Sequence, residues 1–307
     1  MHIDMDYLVY KTTLEKKQMV SKVERGWGRF EIQLLNEFIN GIDVSELAAL
    51  AELHLPDVIS VHTPLGKLPN GSVDVYDLES DKVLNALKYT CKLANMLASW
   101  YGHKIYVVLH SSLHREEIYD SSNKFLKAMY EFSNILYEYS DIELCIENVM
   151  PFSFSGESGR RFYNGSMVDV KYFVDSLRES LPSKVSSRVN TLCDFTHIMS
   201  YCRVLESIGA SEEGDLHEQF KAASESPVIH FANCIGNGIR CKDHGVGFTE
   251  DDKLLRFYID MLERYWDIDA NIVLEIQEED YTMCSSTLQT LEVMTKILEE
   301  YYGKKKS

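Results

Sequence analysis

A single-domain (β/α)8 TIM barrel is the fold that this chain of 307 residues predicts. Short β-rich runs alternate along the chain with stretches of helical periodicity, which is typical of a parallel sheet covered by helices. Most of the runs are nearly continuous in apolar residues, as expected for strands that are buried on both faces. The length also suits one barrel, since such domains typically need about 250 residues.

Eight runs of this kind are predicted as barrel strands, at 6–12, 29–35, 57–63, 104–111, 142–149, 188–195, 227–233 and 271–277. The main alternative is an open, doubly wound sheet. That fold usually carries a Gly-rich phosphate-binding turn after its first strand. The segment that follows the first run here, YKTTLEKK, contains no glycine. The barrel is therefore favoured over the open sheet.

The chain is predicted to form one domain over 1–307, because no Gly/Ser-rich linker or low-complexity tract divides it. The longest irregular connection is PFSFSGESGRRFYNGS at 151–166, after the fifth predicted strand. Long loops in compact domains are often lids or binding loops, so 151–166 is a candidate lid over the site. The last five residues, GKKKS at 303–307, are predicted to form a short disordered basic tail.

The formal net charge of −17 limits the kinds of partner that the protein is expected to bind. Nucleic-acid binders gain most of their affinity from Lys and Arg, so the acidic balance argues against nucleic acid and against an anionic membrane surface. The seven cysteines show no CxxC spacing, and no signal peptide or apolar stretch of membrane-spanning length is seen. We therefore expect a cytoplasmic protein whose cysteines are reduced thiols. The sequence does not decide whether the protein forms a homo-oligomer.

Polar side chains that can bind metal ions stand at or near the ends of six consecutive predicted strands. They are His62, His110, Glu147, Asp194 with His197, His230, and Glu275. Strand ends in a barrel converge on one mouth. Each residue alone could be a hydrogen-bonded or solvated side chain, but a carboxylate at the end of an apolar strand is costly to bury without compensation.

A single cation would compensate several of these carboxylates together. Its predicted ligands are Glu147, Asp194, His230 and Glu275. Mixed carboxylate and imidazole ligation suits Zn²⁺, Mn²⁺, Fe²⁺ or Mg²⁺, and the sequence does not choose among them. The cysteines are not expected to take part.

The successive motifs SVHTP, VVLHSS, CIENV, CDFTH, VIHFAN, DHGVGF and VLEIQ, over roughly 57–277, resemble those of the xylose isomerase-like TIM barrels. That superfamily includes sugar isomerases and epimerases as well as AP endonucleases of the endonuclease IV type. The epimerase pattern implies one metal ion held by the four ligands named above. It also implies that Glu147 and Glu275 are the catalytic acid/base pair and that His197 contacts substrate.

The endonuclease pattern implies up to three zinc ions and adds His62, His110, His197 and His244 as ligands. It requires an aspartate two residues before the last histidine. That position is Lys242 here, and the aspartate is Asp243, directly beside His244. A shift of one residue normally turns a side chain away, which disfavours the three-metal cluster.

Three functions remain in view. The first is isomerisation or epimerisation of a small carbohydrate-like substrate, by metal-assisted proton transfer through an enediolate. The second is hydrolysis of a phosphate ester or phosphodiester by a metal cluster. The third is a barrel that binds a metal or ligand without turnover. Four cations in mouth-side loops could hold a substrate phosphate, namely Arg160, Arg161, Arg240 and Lys242.

Overall fold

The computed structural model describes residues 3–35, 42–64, 80–110, 122–149, 165–207, 209, 215–235, 243–250 and 253–305. Its eight barrel strands are β1 (Val9–Thr12), β2 (Phe30–Gln33), β3 (Val58–His62), β4 (Ile105–His110), β5 (Ile142–Glu147), β6 (Val189–Asp194), β7 (Val228–Phe231) and β10 (Asn271–Leu274). The sheet closes in the order β1-β10-β7-β6-β5-β4-β3-β2. Every neighbouring pair in it is parallel. The predicted (β/α)8 barrel is confirmed, and each predicted run contains one barrel strand.

A short antiparallel hairpin was not predicted. It follows β7 and consists of β8 (Asn233–Ile235) and β9 (Asp243–Val246). The hairpin contacts the segment that follows β10, because Gln277 N–H donates a hydrogen bond of 2.7 Å to the carbonyl of Gly245. The run 227–233 is predicted as one strand, whereas its final residue belongs to this hairpin.

The described helices surround the barrel. They are α1 (Lys16–Val23), α2 (Val44–His54), α3 (Asp81–Tyr101), α4 (Asn123–Glu138), α5 (Met167–Ser180), α6 (Ser183–Ser186), α7 (Phe195–Ser207), α8 (Asp215–Ala223), α9 (Lys253–Tyr265) and α10 (Ser285–Lys305), after a 3-10 turn at Met5–Tyr7. Helix α10 reaches Lys305, so residues 303–305 of the predicted tail are helical. Residues 306–307 lie outside the described residues.

Helical spacing of apolar residues explains how these helices cover the sheet. In α9, for example, the buried residues include Leu255, Tyr258, Ile259 and Leu262, which recur every three or four positions and share one face. The main core joins such faces to the outer side of the barrel. None of the helices in the described part of the chain is both long and apolar enough to cross a bilayer.

Candidate metal centre

A repeated two-residue step along the strands builds the mouth of the barrel. Side chains two positions apart on a strand point to the same face. On six strands an apolar residue of a separate buried cluster is followed two positions later by a polar residue at or near the strand end. These pairs are Val9 and Lys11, Val108 and His110, Cys145 and Glu147, Leu192 and Asp194, Val228 and His230, and Val273 and Glu275. The polar side chains therefore stand on an apolar floor.

The four predicted ligands are brought together in this layer. Ligand atoms of Glu147, Asp194, His230 and Glu275 all lie within 4.8 Å of one another. Nδ1 of His230 is 3.1 Å from Oε1 of Glu147 and 3.0 Å from Oε2 of Glu275. The first three residues are buried, and the side chain of Glu275 is 13% exposed. This buried group of three carboxylates and one imidazole could hold a metal ion.

The carboxylates around His230 make its surroundings favourable for a cation. Burial alone would lower the pKa of His230, but Glu31, Glu147 and Glu275 together raise it well above its usual value. Burial likewise opposes ionisation of Glu147, yet His230 and His110 hold the pKa of that carboxyl well below its usual range. The oxygen and nitrogen donors and the excess of negative charge fit a divalent cation of the zinc, manganese or iron type.

Two further histidines approach the other oxygen of Glu147. Nε2 of His62 and Nε2 of His110 each lie 3.0 Å from Oε2 of Glu147. His62, Glu147 and His230 form a second group whose ligand atoms lie within 4.8 Å of one another. Burial lowers the pKa of His110 to about 4, despite the opposing charge of Glu147. His110 is thus held neutral near pH 7, the form that can bind a metal.

Asp194 and His197 occupy a direct junction between strand and helix. Strand β6 ends at Asp194 and α7 begins at the next residue. Oδ1 of Asp194 accepts a hydrogen bond of 2.9 Å from the backbone N–H of His197, and Nδ1–H of His197 donates to the carbonyl of Asn148 at 2.6 Å. The Asn148 amide also clamps the main chain of Asp194 with bonds of 2.7 and 3.0 Å. His197 Nδ1 lies 3.7 Å from Glu147 Oε1.

Sequence reasoning missed three polar residues of this layer. Lys11 on β1 donates a hydrogen bond to Oε1 of Glu275 and lies 3.6 Å from Oε1 of Glu31. Glu31 on β2 is fully buried, and Asn148 follows β5. The sequences of the first two strands contain features that could have identified Lys11 and Glu31. Lys11 repeats the two-residue step after Val9, and Glu31 interrupts the apolar run RFEIQLL.

Several predicted site residues lie outside the described residues and remain predictions. These are Arg160, Arg161, Arg240 and Lys242, together with 151–164 of the predicted lid. Asp243 and His244 belong to β9 by their backbone, but their side chains are outside the described part. At the end of the predicted lid, Ser166 caps helix α5, with its hydroxyl accepting from the backbone N–H of Asp169.

Solved structures place the barrel among known folds. The TTHB071 protein from Thermus thermophilus, whose crystals were soaked with ZnCl2, matches 97% of this chain and 98% of its own, with a TM-score of 0.55 and 15% identity. A xylose isomerase-like TIM barrel/4-hydroxyphenylpyruvate dioxygenase fusion protein matches 97% of this chain and 44% of its own, with a TM-score of 0.56 and 10% identity. The chain shares its fold with the xylose isomerase-like TIM barrels.

The fold alone does not give the reaction of this barrel. The catalytic domain of the major endoglucanase from Xanthomonas campestris pv. campestris also matches, over 96% of this chain and 95% of its own, with a TM-score of 0.50 and 10% identity. No protein-family model matches the sequence, and comparison with curated proteins gives no match either. Function must therefore be argued from the site.

Proposed function

We propose that this protein is a metal-dependent isomerase or epimerase that acts on a sugar or sugar derivative. The observation that carries the proposal is the position of two carboxylates around one nitrogen. Glu147 from β5 and Glu275 from the end of β10 approach Nδ1 of His230 to 3.1 and 3.0 Å. Two strands, β6 and β7, separate them in the sheet, so they reach this point from different sides.

Such an arrangement suits proton transfer next to a carbonyl group. A bound divalent cation would supply a Lewis acid that polarises the substrate carbonyl. Glu147, Asp194, His230 and Glu275 are its proposed ligands. One glutamate would take the proton from the carbon beside the carbonyl, and the other would return a proton. Glu275 is the more accessible of the two, with 13% of its side chain exposed against 2% for Glu147.

The cofactor and the substrate class are also part of the proposal. Zinc is the first metal to test, because the structurally similar Thermus protein was soaked with it. Manganese, iron and magnesium also accept these ligand types. The proposed substrate is a small carbohydrate-like molecule, and the net charge of −17 argues against a nucleic-acid duplex.

One observation favours a second candidate, metal-dependent hydrolysis of a phosphate ester. His62 and His110 both place Nε2 at 3.0 Å from Oε2 of Glu147, so these side chains would offer ligands for a second metal ion. Two adjacent metals can clamp the attacking and leaving oxygens of a phosphoryl centre. A barrel that binds a metal or ligand without turnover is the remaining alternative.

The experiment that tests the proposal compares two reactions of the metal-loaded protein. One assay follows deuterium exchange from solvent into ketoses, aldoses and their phosphates, and the other looks for incision of a duplex that carries an abasic site. We expect exchange beside a carbonyl, loss of that exchange in Glu147→Gln and Glu275→Gln, and no incision. Glu143→Gln is the matched control, because Glu143 is also on β5 but pairs with Lys104 at 2.8 Å, away from the mouth. Incision without exchange would contradict the proposal, and metal binding with neither reaction would favour the non-catalytic alternative.

A further inference from the structure

Glu31 has an unusual position for a charged residue. It lies within β2 with no exposed surface, between the buried apolar residues Phe30 and Ile32. Burial of an isolated carboxylate is costly, so its partners must offset the lost hydration. The hydroxyl of Ser60 donates to Oε2 at 2.7 Å, and Nε2 of His230 lies 3.2 Å from the same oxygen.

Lys11 extends these contacts into a closed ring of four residues. Its ammonium group lies 3.6 Å from Oε1 of Glu31 and donates a hydrogen bond to Oε1 of Glu275. Oε2 of Glu275 is 3.0 Å from Nδ1 of His230, and Nε2 of that ring returns to Glu31. Three of the residues lie on β2, β1 and β7, and Glu275 directly follows β10; these four strands are consecutive neighbours in the closed sheet. The ring therefore ties one side of the barrel mouth together.

We propose that Glu31 is a positioning residue, which holds His230 with its Nε2–H donated to Oε2 and its Nδ1 directed at the ligand cluster. The inference rests on the proposed metal centre. A metal-bound imidazole keeps one ring proton, and a carboxylate beside one nitrogen holds that proton there while the other nitrogen binds the metal. Of the two ring nitrogens, Nδ1 is the one that lies near both Glu147 and Glu275.

Lys11 and Ser60 have supporting parts in this arrangement. Lys11 joins Glu31 to Glu275, so the carboxylate that orients the histidine and a carboxylate of the cluster are placed by one ammonium group. Ser60 is fully buried on the neighbouring strand β3 and fixes Oε2 from the other side. A carboxylate held by both groups has little freedom to turn away from the His230 ring.

Binding of Co²⁺ to metal-free protein tests the proposal, because the visible spectrum of this ion reports its ligand geometry. We expect Glu31→Gln to bind Co²⁺ about 10- to 100-fold more weakly than the wild type, with shifted absorption bands at saturation. Glu143→Gln, a Glu-to-Gln change on another barrel strand, should leave affinity and spectrum unchanged. Thermal melts of the metal-free proteins establish that both variants fold.

A second measurement reads the proton on the ring directly. In zinc-loaded protein with 15N-labelled histidine, the wild type should show one ring with Nε2 protonated and Nδ1 bound to metal, and that N–H signal should shift in Glu31→Gln. Ser60→Ala is the milder variant if Glu31→Gln does not fold, since it removes only the 2.7 Å hydrogen bond to Oε2. It should move the same N–H signal and weaken Co²⁺ binding several-fold.

The outcomes separate this inference from the function on which it rests. Wild-type protein that binds Co²⁺, together with Glu31 and Ser60 variants of the same affinity, spectrum and ring N–H signal, would overturn the positioning role and leave the metal centre standing. Metal-bound His230 protonated on Nδ1 would also overturn it. Wild-type protein that binds neither Co²⁺ nor Zn²⁺ would instead refute the metal centre, and this inference with it.

Discussion

The backbone N–H of His197 donates a hydrogen bond of 2.9 Å to Oδ1 of Asp194, so that a proposed metal ligand also begins a helix. This contact explains why an apolar strand ends in a carboxylate and an imidazole three residues apart. An aspartate at the start of a helix satisfies one of its unpaired N–H groups with one oxygen. The second oxygen of Asp194 lies 3.6 Å from Nδ1 of His197.

These two roles of Asp194 can be separated by substitution. Asparagine caps helices about as well as aspartate, so Asp194→Asn should keep the stability of the metal-free protein and weaken Co²⁺ binding, because an anionic ligand is lost. Asp194→Ala should lose the cap as well, at a cost of about 1 kcal/mol in the free energy of unfolding. Urea unfolding of metal-free protein and Co²⁺ titration measure the two effects. Equal stability of both variants would show that the cap contributes nothing.

Glu275→Gln is expected to keep the fold and to slow solvent exchange into substrate by about 10²- to 10⁴-fold, the range of general acid–base catalysis. The amide nearly preserves the shape of the side chain, and Lys11 keeps Glu31 at 3.6 Å as an anionic neighbour. Circular dichroism melts and deuterium exchange at saturating metal give the two readings. Exchange at the rate of the Glu143→Gln control would remove Glu275 from the acid/base pair.

The polar residues at the strand ends were predictable because the residues next to them in the sequence indicate their environment. A continuous apolar run that stops at a charged residue indicates a buried strand that opens on a polar mouth, as at Glu147 and Asp194. Such reasoning predicted the barrel and placed the four proposed ligands in one layer. The finer contacts of this layer, such as the Asn148 clamp on Asp194, depend on side-chain direction and on barrel closure, which no local pattern contains.

Lys11 and Glu31 are site residues that the sequence did not predict. Each is a single charged residue in a short strand, and a charge at such a position is compatible with an exposed face. Only closure of the sheet, which sets β1 between β2 and β10, brings Lys11 to Glu31 and Glu275. The hydrogen bond between Lys11 and Glu275 joins residues 264 positions apart in the chain. No local periodicity in the sequence could predict this contact.

Lys22, a buried lysine outside the proposed metal centre, predicts that the free energy of unfolding depends on pH. Lys22 is 2% exposed and donates to the carbonyl of Lys11 at 2.6 Å. Burial lowers the pKa of Lys22 to about 8, although Cys284 and Glu278 oppose the shift. An unfolded lysine has a pKa of about 10.4. The unfolded chain thus keeps this proton between these values while the folded chain releases it, and stability contributed by Lys22 rises with pH through that window.

Urea unfolding of wild type and Lys22→Met at several pH values isolates this contribution. Below about pH 7 both states hold the proton, so the difference between the two proteins should be constant there. From pH 7 to 9.5 the wild type should gain roughly 2 kcal/mol relative to the variant, from the free-energy value of a pKa shift. A difference between the two proteins that stays flat over this range would show that Lys22 keeps an ordinary pKa when folded.

Gly245 links the β8–β9 hairpin to the proposed metal centre, and its replacement by alanine should damage both. Its φ is +85°, and an added Cβ would lie 2.7 Å from Cγ of Gln277 and 3.1 Å from the carbonyl oxygen of Glu275. The Gln277 side chain could move, but the Glu275 backbone carries a proposed ligand. Gly102 offers a matched control, since its φ of +76° is similar and an added Cβ would have nothing within 4 Å.

The left-handed backbone alone costs a residue with a Cβ about 1–2 kcal/mol, and both alanine variants should lose this much stability. Gly245→Ala should lose more, because the hairpin or the end of β10 must shift to make room, and it should also weaken Co²⁺ binding by displacing Glu275. Gly102→Ala should bind Co²⁺ as the wild type does, since Gly102 ends α3. Urea unfolding and Co²⁺ titration of the two variants side by side measure the difference. Equal losses of stability and unchanged Co²⁺ affinity in both would mean that the close approach of Gly245 to Glu275 does not hold the site in place.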